Sequence, residues 1–247
     1  MAVALVTGGS RGIGRATALL LAQQGYSVVL NYHTNDAAAQ SVVDDIRVAG
    51  GTAQAIRADV SDEAQVVTMF EQIDRFMGPL DALVHNAGIL FQQARLEDLS
   101  AARINEVLMT NVTSYFLCCR EAVKRMSHQH GGKGGAIVNV SSAASRLGAP
   151  GEYVDYAASK GAIDSMTTGL SLEVAGQGIR VNCVRPGFIY TDMHASGGEP
   201  GRVDRVKSAI PMQRGGQPEE VAQAIAWLLS DKASYVTGTF VDMAGGK

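Results

Sequence analysis

Tyr156 and Lys160 stand four residues apart in the run Tyr156-Ala157-Ala158-Ser159-Lys160. On a helix that spacing puts both side chains on one face, one turn apart. A phenol titrates near pH ~10 and is a poor base at neutrality. A neighbouring ammonium stabilises the phenolate and lowers that pKa, which suits the pair to exchange a proton with an oxygen atom. Of the seven tyrosines only Tyr156 has lysine at the fourth position after it. Taken alone, the pair is as readily an ordinary helix-surface pair. Upstream, Ile137-Val138-Asn139-Val140-Ser141-Ser142 reads as an apolar strand ending in hydroxyls. Ser142 is placed to donate a hydrogen bond to the same oxygen, or else to cap a loop. Ser141 is its rival, one residue earlier and facing the other way on an extended chain.

A second chemistry lies at the start. Thr7-Gly8-Gly9-Ser10-Arg11-Gly12-Ile13-Gly14 follows an apolar run and opens a helical pattern. Glycines there let the backbone turn sharply and let a pyrophosphate approach the helix N-terminus, where free N–H groups and the helix dipole hold an anion. The spacing, Gly8-x3-Gly12-x-Gly14, departs from the more familiar Gly-x-Gly-x-x-Gly; a tight turn without a ligand is the plainer reading. Where a second strand would end in an acid for the adenosine ribose, Leu30-Asn31-Tyr32-His33 carries none before Asp36. Arg11 is available for a 2′-phosphate, so NADP(H) is favoured, with NAD(H) as the alternative. Asp59 and Val60 follow a third strand, where the carboxylate suits an adenine amino group or a helix entry near Ser61. His85-Asn86-Ala87-Gly88 ends a fourth, its small residues leaving room for a cofactor against the backbone.

These groups need a scaffold. Apolar runs at Val3–Thr7, Ser27–Asn31, Ala53–Arg57, Ala82–His85, Ala136–Val140, Arg180–Val184 and Thr239–Asp242 read as strands. Amphipathic windows at Gly12–Gln24, Ala37–Ala49, Asp62–Phe76, Ala102–Met126, Val154–Ala175 and Pro218–Leu229 read as helices. Alternation of this kind predicts an α/β parallel sheet covered on both faces, and ligands bind at the carboxyl ends of such strands. Gly25 and Gly50 read as helix stops, and Ser61 as the cap of the third helix. No linker or repeat divides residues 1–247, which read as one domain. Phe188–Arg214 is polar, Gly- and Pro-rich and weakly periodic; it reads as a mobile lid with a short helix near Arg202–Ala209.

Composition bounds the rest. The chain has 247 residues, 46% of them apolar and 18% charged, with a formal net charge of −3. That balance offers nothing to a polyanion, so nucleic acid is not an expected partner. No apolar run reaches the roughly 18 residues of a membrane span, and the first residues carry no signal-peptide pattern. Three cysteines, two of them adjacent, suit a reducing cytoplasm better than a disulfide framework. The five histidines have no metal-ligand spacing, and no metal is expected; His128 and His130 read as part of a solvated loop.

Together these motifs resemble the short-chain dehydrogenase/reductase family from end to end. The resemblance rests on Thr7-Gly8-x3-Gly12-x-Gly14, Asn86-Ala87-Gly88, Asn111, Ser142, Tyr156-x3-Lys160 and Pro186-Gly187. It implies a single-domain Rossmann fold, a seven-stranded parallel sheet with three helices on each face. It implies a proton-relay tetrad of Asn111, Ser142, Tyr156 and Lys160. Lys160 would also bind the nicotinamide ribose, and Asn111 would hold a water linking Lys160 to solvent. Pro186, Gly187, Ile189 and Thr191 would hold the carboxamide. The reaction implied is hydride transfer between nicotinamide C4 and a carbonyl or alcohol, in a homotetramer built through Ala102–Met126, Val154–Ala175 and a buried last strand. His85 departs from the commoner asparagine before Asn86. Expected cofactor contacts are Gly8, Ser10, Arg11, Gly12, Ile13, Gly14, Asn31, Tyr32, His33, Asp59, Val60, Asn86, Ala87, Gly88, Tyr156 and Lys160, with the four carboxamide residues. Substrate is expected among Leu90, Phe91, Leu147, Tyr153, Phe188, Tyr190, Met193 and His194; Arg146 either contacts an acid or faces water. A cofactor-binding sensor or structural subunit without turnover is the alternative, since a fold alone proves no reaction.

Overall fold

A computed structural model describes residues 1–247. Seven parallel strands form one sheet in the order β3-β2-β1-β4-β5-β6-β7. They are β1 (Val3–Val6), β2 (Ser27–Tyr32), β3 (Thr52–Arg57), β4 (Leu80–His85), β5 (Gly135–Val140), β6 (Ile179–Pro186) and β7 (Phe240–Met243). The longer helices are α1 (Gly12–Gln23), α2 (Asp36–Val48), α3 (Glu63–Phe76), α4 (Ala101–Leu108), α5 (Ser114–Met126), α7 (Val154–Val174) and α10 (Pro218–Leu229). Three short ones, α6 (Ala144–Leu147), α8 (Met193–Ser196) and α9 (Arg202–Val206), lie in the loops after β5 and β6.

The period of two along each strand splits the core into two halves. On β1, Ala4 and Val6 pack with Ala18 and Leu21 of α1, Val42, Val43 and Ile46 of α2, and Val221 and Ile225 of α10. Val3 and Leu5 face the opposite side, among Val66, Phe70 and Ile73 of α3, Cys118 and Ala122 of α5, and Val174 of α7. Both faces of the central strands are therefore dry, which is why they read as unbroken apolar runs. Three helices cover one face; α3, the α4–α5 rod and α7 cover the other. No helix is long and apolar enough to cross a membrane.

Two local expectations need correction. Asp62, not Ser61, caps α3: its carboxylate accepts from the Ala64 and Gln65 amides at 2.9 and 3.2 Å. A carboxylate at that point also complements the helix dipole, which a hydroxyl does less well. The expected helix Ala102–Met126 is broken by a π-helical turn, Met109–Thr113. In the single chain β7 lies at the sheet edge with Phe240, Val241 and Met243 half-buried and Asp242 exposed.

The strand order reverses beside β1, whose two neighbours are β2 and β4, and a crevice opens there at the carboxyl ends. Thr7 and Asn86 stitch it. Thr7 Oγ1 accepts from the Asn86 and Ala87 amides, each at 3.0 Å. The Asn86 amide nitrogen donates to the carbonyls of Thr7 and Gly8, each at 3.1 Å.

Candidate active site

Helix α7 begins at Val154, so Tyr156 occupies its first turn and Lys160 its second. Beside them β5 ends at Val140 and the chain turns through Ser141 and Ser142. The rivalry of the two serines is resolved by direction. Ser141 is buried and donates to the Lys160 carbonyl at 3.1 Å, tying the loop to α7. Ser142 accepts from the Ala144 amide at 3.1 Å, and its hydroxyl reaches the Pro186 carbonyl only at 3.4 Å. Ser142, Tyr156 and Lys160 line one cavity of about 400 Å³. Lys160 is 3% exposed; its ammonium donates to the Val140 carbonyl at 2.9 Å and to the Tyr115 hydroxyl at 3.2 Å.

Asn111 sits inside the π-helical turn, fully buried. Such turns widen the helix and commonly mark functional positions. The Asn111 side chain accepts from the Ile89 amide at 2.8 Å and donates to the Ile89 carbonyl at 3.0 Å and to Ser159 at 3.2 Å. It thereby fixes the loop after β4 against α7. Gly88 lies between: a methyl group there would stand 3.3 Å from Asn111 Oδ1 and 3.7 Å from Lys160 Nζ. Only a residue without a side chain leaves that space open.

The glycine loop lies at the other end of the crevice. At Gly14 a methyl group would meet the Gly8 carbonyl oxygen at 2.2 Å, so α1 can start this close to β1 only with glycine there. No side chain caps α1 and no acid lies in its first turn. Its first N–H groups, which have no partner within the helix, face the crevice uncapped. Arg11, at the cap position, is exposed and forms no ion pair with any residue. His33 lies beside Asp59 at 3.8 Å and is also exposed. Ser10 and Tyr32 are half-buried at the same edge.

Two residues of this region turn their side chains into the protein. Asn31 is 2% exposed, and its amide donates to the Ala58 carbonyl at 2.9 Å, pinning β2 to β3. Val60 packs its side chain into the core beside Ile56 and Val66, leaving only backbone at the crevice. Asp59 keeps one oxygen on the Ser61 amide and hydroxyl, at 2.9 and 2.7 Å, with the other turned to His33.

Ile13, Asn86, Pro186, Gly187, Ile189 and Thr191 join the cavity from the cofactor side. A side chain at Gly12 would meet Thr191 at 3.2 Å, so the segment after β6 lies against the glycine loop. Leu90, Leu147, Tyr153, Phe188, Met193 and His194 line the cavity as expected. Phe91 and Tyr190 do not: Phe91 lies under the Arg103 guanidinium, and Tyr190 donates to Asp204 at 3.0 Å. Arg146 is exposed and reaches Asp242 at 3.5 Å. The sequence reading missed Glu152, Arg202 and Lys247, which also line the cavity. Arg202, on α9, is buried between Glu152 and Glu199 and covers the Tyr153 ring at 5.1 Å. That buried ion pair joins the 188–214 segment to Glu152 beside the cavity. The alternation of residue types carries no trace of such a long-range pair.

Comparison with known proteins agrees with this geometry. A family model described as enoyl-(acyl carrier protein) reductase matches residues 8–247. An Escherichia coli protein named uncharacterized oxidoreductase YgfF is 76% identical over the whole of both chains. The 3-oxoacyl-[acyl-carrier-protein] reductase FabG of Staphylococcus aureus is 38% identical, over 98% of this chain and 96% of its own. Among solved structures, a dehydrogenase/reductase from Sinorhizobium meliloti superposes with a TM-score of 0.92 at 35% identity, covering 99% of this chain and 94% of its own. A short-chain dehydrogenase from Burkholderia cenocepacia, solved in complex with NADP, gives 0.90 at 34%, covering 98% and 96%. The chain belongs to the short-chain dehydrogenase/reductase family.

This family member is an oxidoreductase, and its phenol and ammonium are tuned differently from the sequence expectation. Lys160 does not lower the pKa of Tyr156 below the ordinary value. Burial pushes the phenol up to about 12, with the Ser142 hydroxyl pulling weakly the other way. Burial likewise brings the Lys160 ammonium down to about 8. Desolvation outweighs attraction because the ammonium stands 5.6 Å from the Tyr156 ring centroid and bonds to other oxygens.

The Lys160 shift has a measurable consequence. Its folded pKa lies below the unfolded value, so holding it charged costs stability below about pH 8, and that cost is relieved as pH rises from about 8 to 10.5. Replacing Lys160 by Met removes the cost. The variant is expected to be more stable than the parent by roughly 1–3 kcal/mol at pH 7, with the gain shrinking towards pH ~10. Denaturant midpoints measured across that range check both the sign and the trend.

Proposed function

We propose that the chain is an NADP(H)-dependent oxidoreductase that moves hydride between nicotinamide C4 and a small carbonyl or secondary-alcohol substrate, with Tyr156 as general acid and base. The observation that carries this reading is the shared wall: the Ser142 hydroxyl, Tyr156 phenol and Lys160 ammonium line one cavity at the carboxyl edge of the sheet.

The residues present fit a dinucleotide. The uncapped start of α1, which Gly14 lets lie close against β1, suits a pyrophosphate. Gly8, Ser10, Gly12 and Ile13 frame it, Arg11 and His33 face the adenosine end, and Asp59 has one oxygen left for the adenine. Asn86, Ala87 and Gly88 give it backbone to lie on, and Pro186, Gly187, Ile189 and Thr191 close the nicotinamide end. Arg11 without an ion pair, and β2 ending without an acid, support NADP(H) over NAD(H). When bound, the cofactor supplies or accepts the hydride.

The protein's own part is orientation and the proton. Ser142 and Tyr156 hydrogen-bond the reacting oxygen and fix its carbon over the cavity floor. With a pKa near 12, Tyr156 keeps its proton at neutral pH and is ready to donate it. In reduction the phenol protonates the developing alkoxide, and in oxidation the same oxygen takes that proton back. Lys160 would hold the neighbouring sugar hydroxyls of a bound cofactor and relay the proton, and Asn111 fixes the loop after β4 against α7 beside it. The cavity favours a largely apolar carbonyl; Arg202 is already compensated by Glu152 and Glu199, and the Lys247 ammonium, 5.5 Å from the Phe188 ring, is a cation on the wall without a carboxylate partner.

The chain is placed in the cytoplasm, where three free, buried thiols are at home. It assembles as a homotetramer through α4–α5, α7 and β7. Phe116 and Leu172 expose large apolar side chains on the first two, at 54% and 78%, and the half-covered β7 supplies an edge. Sedimentation of the purified protein is expected to give about four chain masses; a stable monomer overturns this assembly.

Replacing Tyr156 by Phe keeps the ring and removes the proton, with an expected loss of at least about 100-fold in kcat for NADPH-dependent carbonyl reduction. Near-normal turnover in that variant, or no turnover by the parent on a broad carbonyl panel, rejects the reading. Arg11→Ala is expected to raise KM for NADPH by about 10-fold or more, with little change for NADH, in steady-state assays run with both.

A further inference from the structure

The ammonium of Lys160 does not hydrogen-bond the phenol beside it on α7. It hydrogen-bonds a different phenol, Tyr115, at 3.2 Å. Tyr115 comes from α5, directly after the π-helical turn, and is 0% exposed. Its own O–H donates to the Val140 carbonyl at 2.8 Å, so its oxygen presents lone pairs to the ammonium. The same Val140 carbonyl also accepts from Lys160 at 2.9 Å. Val140, Tyr115 and Lys160 thus close a triangle of hydrogen bonds that takes up two of the three ammonium protons.

The Tyr115 ring is in turn fixed by His85, stacked on it with centroids 3.7 Å apart and planes at 26°. His85 occupies the position where the sequence departs from asparagine. Its Nδ1 lies 3.3 Å from Thr7 Oγ1. That oxygen already accepts two amide N–H groups, so the Thr7 hydroxyl proton is the one shared with Nδ1. With Nδ1 accepting, the ring carries its proton on Nε2, which is buried without a hydrogen-bond partner, and burial disfavours a second proton, pushing the pKa down to about 3. A neutral ring can stack on Tyr115 next to an ammonium; a charged one would repel it. A histidine at 85 and a tyrosine at 115 form one unit, running from the end of β1 to the side chain of Lys160.

From this arrangement we infer that Tyr115, braced by His85, is a positioning residue that fixes the Lys160 ammonium and keeps it protonated. The inference rests on the role given to Lys160 in the proposed reaction. A lysine stem has four rotatable carbons, and a buried ammonium short of one acceptor reverts more readily to the neutral amine. The other groups facing Lys160 do not supply that acceptor. Tyr156 is under its stem with no hydrogen bond to it. Asp164, one turn later on α7, is paired with Arg185 at 3.0 Å. Cys183 of β6 is a neutral thiol, pushed up to about 12 by burial. Removing the Tyr115 oxygen leaves each of these in place.

The test uses Tyr115→Phe and His85→Asn in the full chain without cofactor. Lys160 is followed by the NMR shift of its 13C-labelled ε-carbon, assigned by the signal missing in Lys160→Met. The midpoint in Tyr115→Phe is expected about one pH unit below that of the parent, a tenfold larger fraction of amine at a given pH. His85→Asn, which frees the Tyr115 ring but keeps its oxygen, is expected to move it less, in the same direction. With NADPH and a carbonyl substrate, the alkaline limb of kcat in Tyr115→Phe shifts by the same amount, while the carbonyl KM changes less than about twofold. Lys160→Arg, which cannot lose its charge, has no such limb. A Tyr115→Phe midpoint equal to the parent's overturns the inference even if Tyr156→Phe is inactive; an active Tyr156→Phe overturns the underlying reaction while leaving the midpoint shift intact. If Tyr115→Phe does not fold, an unshifted midpoint in His85→Asn overturns it instead.

Discussion

An ammonium buried with no carboxylate of its own has to be surrounded by oxygen, and the centre of this protein is organised by that requirement around Lys160. Its hydrogen-bond acceptors are a carbonyl from the end of β5 and a hydroxyl from α5. Each of those is placed by something else: the Val140 carbonyl by the edge of the sheet, the Tyr115 oxygen by a helix that is broken one turn earlier. Asp164 lies close enough to favour the charge, yet its carboxylate is spent on Arg185. Oxygen dipoles stabilise the ammonium less than a direct ion pair does. The group is left near the middle of the physiological range, charged at neutrality and able to give up a proton.

The broken rod of α4 and α5 follows from the same need. An unbroken helix would run past the loop after β4. The π-helical turn swings Asn111 inward, where one amide side chain satisfies both backbone atoms of Ile89 and reaches Ser159 of α7. The three strand ends that form the crevice are thus joined by few atoms: Thr7 and Asn86 join β1 to β4, Asn111 joins the loop after β4 to α7, and Ser141 joins the end of β5 to α7. Each contact satisfies backbone groups that would otherwise be buried without partners, so positioning and stability draw on the same hydrogen bonds.

Over the cavity the electrostatic solution is different. Arg202 is a buried cation with two carboxylates, and it supports the aromatic rings of Tyr153 and Phe188 on its planar face. The compensated guanidinium closes the 188–214 segment over the cavity without presenting a free charge to what enters. The wall is mostly apolar, with Ser142 and Tyr156 among its polar groups, which suits the carbonyl substrate proposed above.

The alternation of apolar runs and amphipathic windows, the glycines before α1, and the Tyr156-x3-Lys160 spacing are local, and local periodicity is enough to establish the parallel α/β sheet, its order of elements and the cluster at the ends of β5 and α7. Asn31 and Val60 were legible as residues at a strand end but not as residues turned into the protein, because the twist at that end and the reach of an amide to β3 are not written in the neighbouring residues. The same holds for Arg202, whose partner Glu152 lies fifty residues away, and for His85 and Tyr115, which are thirty residues apart and meet only when α5 packs on β4. The upward push that burial gives the Tyr156 pKa was not legible either, since spacing along a helix reports proximity and says nothing of how much water the fold has taken away. What the sequence determined by itself is which groups can do the chemistry and in what order they arrive; burial, side-chain direction and the choice of hydrogen-bond partner were decided only when distant segments closed on one another.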